Sequence, residues 1–253
     1  PACDASAGVT ITSDRERPMS PSPGTRWRAV GVGALLLLGG TACSVLNPPP
    51  RPLQRHMSFH FAEIAKVREA LADGSLEAAR EPARAIWLQT DHPDLPRGVD
   101  SPVHDLRRSA HRAAAANTLE EAAQATAAMG AACARCHGAA GGGPRLAPAF
   151  APLATSDADR MTRHVWAAER LWEGVVGDDD EVWRAGAMAL ADAPLVPADG
   201  AGSAEVATMA RQVHDLAAEA QRVESAPARA GLYGRLLTTC SGCHEELGRW
   251  TAR

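Results

Sequence analysis

The sequence predicts an all-α protein built as two tandem antiparallel four-helix bundles. Only 4% of its 253 residues are aromatic, while alanine, leucine, glutamate and arginine are abundant. This balance favours helices over strands. No segment alternates with the two-residue period of a strand. Landmarks of the first half recur in the same order about 105 residues later, which indicates a doubled domain.

Three pairs of short segments define this repeat. The segment "MSFH" at 57–60 recurs as "MTRH" at 161–164. The segment "VHDLRRSAHR", which begins at Val103, recurs as "VHDLAAEAQR" from Val213. The segment "CARCH", which begins at Cys133, recurs as "CSGCH" from Cys240. Because the three offsets are so similar, they predict one plan used twice with small changes in loop length.

Each half contains four segments with helical periodicity, and each predicted start carries a helix-start signal. The predicted starts in the first half are Gln54, Ser75, Ser101 followed by Pro102, and the capping-box segment from Asn117 to Glu120. Those in the second half are Ser156, the acidic run 177–180, Ser203 and Ser225. The predicted domains are a first bundle over 54–138, a linker over 139–155 and a second bundle over 156–253.

The first helix of each half carries an apolar stripe that includes a histidine. The stripes are Met57, His60, Phe61, Ile64, Val67 and Leu71 in the first half, and Met161, His164, Ala168, Leu171 and Val175 in the second. A partly buried imidazole needs a polar partner. The recurrence therefore favours a functional role for His60 and His164 over a packing role.

The other histidines lie outside these stripes. His104 and His214 recur in "VHDL", one position away from an apolar face, and are predicted to lie at the surface. His56, His92 and His111 have no counterpart in the other half and are predicted to be solvated.

The segment 1–43 has the layout of an export signal. A short apolar run follows Arg26 and Arg28 and leads through small residues to Cys43. The run is shorter than the roughly 20 residues that span a bilayer. Cys43 resembles the lipidated cysteine of a bacterial lipoprotein signal, and ordinary signal-peptidase cleavage nearby is the alternative. Translation is predicted to start at Met19, which leaves Cys3 upstream, and residues 44–53 form a proline-rich tether.

The four remaining cysteines, Cys133, Cys136, Cys240 and Cys243, all lie in the two C-x-x-C-H units. Thiols at positions i and i+3 of a helix point to the same side and can form thioether bonds with the two vinyl groups of one haem. The following histidine, His137 or His244, then becomes an iron ligand. Disulfides, or one zinc site shared by both cysteine pairs, are the alternatives, but they leave the two histidines unexplained.

The spacing therefore predicts two covalently attached c-type haems. Export agrees with this prediction, because covalent haem attachment in bacteria takes place outside the cytoplasm. The net charge of −4 gives no support to nucleic-acid binding.

A helical domain of this size with C-x-x-C-H at the end of its fourth helix resembles the cytochrome c prime class of four-helix-bundle cytochromes. The resemblance covers about residues 54 to 248, and this chain is expected to be a tandem, two-haem version. It implies that the first helix of each half faces the far side of the haem. His60 and His164 are then the expected distal iron ligands, with Met57 and Met161, or an open iron, as alternatives. A histidine here departs from the family, which commonly has methionine or an apolar residue.

A six-coordinate haem changes oxidation state with little rearrangement, which suits electron transfer, and two histidine ligands favour a lower potential than histidine with methionine. The sequence thus predicts an electron carrier rather than an enzyme, located in the periplasm or elsewhere outside the cytoplasm. Its expected partners are redox proteins of an exported electron-transfer chain, and a lipid anchor is its only expected contact with a membrane. A protein that binds nitric oxide or another diatomic gas is the alternative, and a di-haem peroxidase is less favoured.

Overall fold

The computed structural model describes residues 52–144, 151–153, 156–192 and 203–251. In these ranges the chain forms eight α-helices and no strand, which confirms the all-α class. The helices are α1 Pro52–Ala72, α2 Leu76–Leu88, α3 Asp100–Ala114, α4 Leu119–Ala139, α5 Asp157–Gly177, α6 Asp180–Ala191, α7 Ala204–Ala220 and α8 Ala226–Thr251. None of the described helices is both long enough and apolar enough to cross a membrane. The predicted export signal, Cys3, Cys43 and most of the proline-rich tether lie outside the described residues.

Most helices begin where the capping residues predict. The hydroxyl groups of Ser75, Ser156 and Ser203 each accept a hydrogen bond from the backbone amide three positions further on. The carboxylate of Asp179 accepts from the amides of Glu181 and Val182, so it caps α6 within the predicted acidic run. These starts follow from the local sequence, because a cap needs only its own first turn.

Helix α1 begins two positions before the predicted Gln54, and two further starts in the first half differ from the prediction by one position. Thr118, rather than Asn117, caps α4, and its hydroxyl accepts from the amide of Glu121 at 3.1 Å. The Glu121 carboxylate in turn accepts from the amide of Asn117 at 2.8 Å. Helix α3 begins at Asp100, without a side-chain cap, rather than at Ser101. A neighbouring residue that is also a good cap therefore shifted the start of α4.

The two halves repeat the same contacts between helices. In each half, consecutive helices contact each other, and the first helix also contacts the fourth. Arg80 Nη2 on α2 donates to the carbonyl of Ala116 at 3.1 Å, while Trp183 Nε1 on α6 donates to the carbonyl of Ala220 at 2.8 Å. Different side chains thus join the second helix to the end of the third at closely matching places in the two halves.

Helices of both halves contribute to one buried core within one compact unit, Pro50–Arg253. The contacts between the halves include those of α4 with α8, α4 with α5 and α1 with α8. The first and fourth helices of each half therefore form the junction. The helices that carry the two C-x-x-C-H units are among them.

Candidate functional site

Both C-x-x-C-H units lie within helices. Cys133 and Cys136 are one turn apart near the end of α4, which continues through the motif to Ala139. Cys240 and Cys243 are in the same arrangement on α8, which continues to Thr251. All four cysteines are partly buried free thiols. The helical spacing thus places the two sulfur atoms of each unit on one side of its helix.

Burial raises the pKa values of the thiols in both units. Burial, with a smaller contribution from Cys136, raises the pKa of Cys133 to about 12. Burial, with a smaller contribution from Cys243, raises the pKa of Cys240 to about 12 as well. Burial also raises the pKa of Cys136 and of Cys243. Each unit therefore presents neutral thiols at neutral pH, the first of them strongly sheltered from water.

The histidine that follows each cysteine pair is partly buried. On α4, His137 Nδ1 lies 3.3 Å from the carbonyl oxygen of Val176, near the end of α5. A carbonyl oxygen can only accept, so this bond requires a proton on Nδ1, and the neutral ring then keeps its lone pair on Nε2. That is the form in which a histidine binds a metal through Nε2. His244 occupies the equivalent position on α8 and is also partly buried.

His60 belongs to a group of three histidines at one end of the first half. Its ring centroid lies 4.6 Å from that of His56, which lies 5.4 Å from that of His92 in the loop after α2. Burial, and then the nearby His56, lower the pKa of His60 to about 4, against a weaker opposing effect of its hydrogen bond with Gln89. The imidazole of His60 is therefore neutral at neutral pH, as a metal ligand must be.

The prediction that His56 and His92 are solvated was wrong, because both are partly buried. His56 packs against His60, and His92 packs against His56. His56 precedes His60 by one helical turn, and this spacing is a signal that sequence reasoning could have used. His92 had no such signal, since its position depends on the path of a loop. His104 and His214 are exposed, as predicted, and His111 is exposed beside Trp87.

In the second half, His164 on α5 is buried, with only 8% of its surface exposed. Met161, the alternative ligand one turn earlier, is 37% exposed. In the first half both Met57 and His60 are partly buried. In the second half the histidine therefore faces inward more than the methionine does. In the first half burial does not distinguish the histidine from the methionine.

Uncovered apolar side chains follow both of these histidines. Phe61 is 47% exposed, so its predicted place in the buried stripe was wrong, and its equivalent Val165 is 59% exposed. Each residue is offset from its histidine by one position, about 100° around the helix, which turns it away from the core. The same apolar surface is thus left uncovered beside His60 and His164.

A cavity of about 880 Å³ lies between the loop after α2 and the start of α3. Its lining includes Trp87, His92, Val103, His104, Arg107 and His111. Arg135, inside the first C-x-x-C-H unit, donates to Asp105 at 2.8 Å. This bond connects the motif to α3, the helix that lines one side of the cavity. A second cavity, of about 470 Å³, is lined by Met209 on α7 and by Gly242 inside the second unit. Such volumes are typical of sites for small molecules and cofactors.

These residues fit a c-type haem at each unit. Each unit combines two thiols on one side of a helix with a following histidine, and none of these side chains lines either cavity. Within the described residues there is no group of three or more histidine, cysteine, aspartate or glutamate side chains that could hold a metal ion. The alternative of one zinc site made from both cysteine pairs is therefore not assembled. A haem iron takes only one or two ligands from the protein. A haem site therefore does not need a group of three or more such side chains.

Comparisons of the chain with protein-family models, curated proteins and solved structures give no match.

Proposed function

We propose that this chain is an exported di-haem c-type cytochrome that carries electrons between redox partners. The observation that carries the proposal is the matched pair of C-x-x-C-H units on α4 and α8. Each has a sheltered first thiol, a second thiol one turn away and a partly buried histidine. A disulfide or zinc function would not require that histidine in both copies.

The proposal gives each residue a specific role. Cys133 and Cys136 hold one haem and Cys240 and Cys243 the other, through thioether bonds. His137 and His244 are the proximal iron ligands, and His60 and His164 the distal ones. When bound, haem supplies a reversible one-electron couple. The chain's own residues fix the orientation of the group and shelter it from water.

Each half would then be a four-helix haem bundle of the cytochrome c prime class. Consecutive helices of each half contact each other and the first contacts the fourth, as in such a bundle, while α4 packs more extensively against α8 of the other half than against α1. Two histidines at equivalent places on these helices favour six-coordinate iron and electron transfer over catalysis.

The proposed location is the periplasm or another site outside the cytoplasm, with a lipid on Cys43 as the proposed anchor. Redox proteins of an exported electron-transfer chain are the proposed partners. The export-signal layout of residues 1–43 favours this location. The proposed haem attachment agrees with it, because such attachment takes place outside the bacterial cytoplasm.

Covalent haem is tested by expressing the chain in a host that attaches haem to exported proteins. The denatured polypeptide should keep two haems by mass spectrometry. The matched variants C133S/C136S and C240S/C243S should each keep one. A wild-type polypeptide without covalently retained pigment would overturn the proposal.

The choice between electron transfer and gas binding is tested with carbon monoxide. The reduced protein should bind it slowly or incompletely, because a histidine already occupies the sixth position of each iron. Rapid, stoichiometric binding at both haems would favour the gas-binding alternative.

A further inference from the structure

The two C-x-x-C-H units lie at opposite ends of the first half. Arg107 Nε donates to the carbonyl of Trp87, and Arg135 donates to Asp105, so the end of α4 meets the start of α3 and the end of α2. His56, near the start of α1, packs on His92 at this same end. The first unit therefore shares this end with the start of α1.

The second unit lies at the other end of α1. A Cβ atom added at Gly74, just past the end of α1, would lie 3.2 Å from the carbonyl oxygen of Ser241 and 3.2 Å from Glu245. The helical rise places Gly74 about 21 Å beyond His60 along the axis of α1. Helix α1 thus runs from the end that holds the first unit to the end that holds the second.

The contact between α4 and α8 gives a second measure of the distance between the two C-x-x-C-H units. A Cβ atom added at Gly234 would lie 2.6 Å from Gln124 Oε1, so these residues are at about the same level of the two helices. From this level α4 continues to His137 in one direction, while α8 continues to His244 in the other. At about 1.5 Å of rise per position, the two histidines are about 34 Å apart along the helix axes.

We propose that the two haem sites are independent one-electron sites, each exchanging electrons with protein partners at its own end of the molecule. This inference rests on the proposed function. Electron tunnelling falls off exponentially with distance, so direct transfer between sites this far apart is slow. Charges several Debye lengths apart also have little effect on each other's titration. Each site would accept one electron from a reduced partner and pass it to an oxidised one, without a relay through the other site.

Independence is tested by redox titration of the mature full-length protein and of the two single-haem variants, C133S/C136S and C240S/C243S. The sum of the two variant curves should reproduce the wild-type curve, and the spectrum of each remaining haem should be unchanged. A remaining haem whose midpoint shifts when the other is removed, in a variant with unchanged helical circular dichroism, would overturn independence.

The separation is tested without any redox measurement. Spin labels on A139C and E245C, both at exposed positions after the motifs, should be about 39 Å apart along the helix axes. The matched pair E120C and E245C should give an axial distance shorter by about 28 Å, because the exposed Glu120 lies at the other end of α4. Equal distances for the two pairs would overturn the inference and leave haem attachment intact. A chain without covalent haem would instead overturn the proposed function. The same label pairs would then be measured in the C133S/C136S/C240S/C243S background, where these four thiols carry no label.

Discussion

The guanidinium carbon of Arg68 lies 4.8 Å from the ring centroid of Trp172, and these two residues occupy equivalent positions in the two halves of the chain. Arg68 Nε also donates to the hydroxyl of Tyr233 at 2.8 Å, and its Nη2 donates to Glu169 at 2.5 Å. Two identical halves would place arginine against arginine or tryptophan against tryptophan here. The different residues at this repeated position are therefore complementary across the two halves.

Arg68→Ala should lower the free energy of unfolding by about 2–4 kcal/mol, because it leaves the buried Tyr233 hydroxyl without its donor and removes the contact with Trp172. The matched control is Lys66→Ala on the same helix, whose ion pair with Glu63 involves an exposed lysine. The control should change stability by no more than about 0.5 kcal/mol. Denaturant unfolding followed by circular dichroism measures both, and equal effects would contradict the role given to Arg68.

Gly174→Ala should destabilise the protein by about 1–3 kcal/mol, because α5 and α6 touch at this glycine. An added Cβ would lie 2.7 Å from the Cα atom of Trp183 and 2.8 Å from its backbone nitrogen, neither of which can move by itself. Gly231→Ala is the control, since nothing lies within 4 Å of its added Cβ. It should stabilise α8 by about 0.5–1 kcal/mol. Thermal unfolding that ranks the two variants in the opposite order would contradict the packing described for α5.

Tyr233 is the chain's only tyrosine, so its ionisation can be followed alone. Burial raises its pKa, and the opposing effects of Arg68 do not cancel this. Since the folded pKa lies above the unfolded value of about 10, the stability contributed by this group is full below that pH and is lost as the pH rises above it. Ultraviolet difference absorption should show no tyrosinate near pH 10 until the protein unfolds. The Tyr233→Phe variant supplies the baseline, and reversible ionisation near pH 10 in the folded state would contradict the burial.

His60→Ala and His164→Ala should each convert one haem from low-spin to high-spin iron, as measured by absorption and electron paramagnetic resonance. Lys66→Ala on α1 and His214→Ala in the second half are controls, because both side chains are exposed and neither lines either cavity. The controls should leave both spectra unchanged. Low-spin iron retained in the double variant H60A/H164A would contradict histidine ligation, and Met57 and Met161 would then be replaced in turn.

Cys133 and Cys240 should react more slowly with iodoacetamide than Cys136 and Cys243 in chain produced without haem attachment. The thiolate is the reactive form, and a pKa of about 12 leaves only about one thiol in ten thousand ionised at pH 8. Peptide mass spectrometry of partly alkylated protein gives the order of reaction. Modification of Cys133 before Cys136 would contradict the sheltered position of the first thiol.

Several features of the site were predictable because they depend on neighbours in the chain. The spacing of Cys133, Cys136 and His137 is fixed by one helical turn, and the recurrence of His60 as His164 is visible in the sequence. The exposure of Phe61 was not predictable, since the pattern of a helical stripe does not show how far around the helix its neighbours cover it.

The sequence by itself determined the helices, their approximate bounds and the two C-x-x-C-H units, because hydrophobic periodicity, caps such as Ser75 and motif spacing act over short distances along the chain. Only the tertiary structure decided that His92 packs on His56, that Arg68 meets Trp172 and that the two units lie at opposite ends. These relationships join residues on different elements, and Arg68 and Trp172 even belong to different halves of the chain. Contacts of that kind depend on how whole helices pack, which no local pattern specifies.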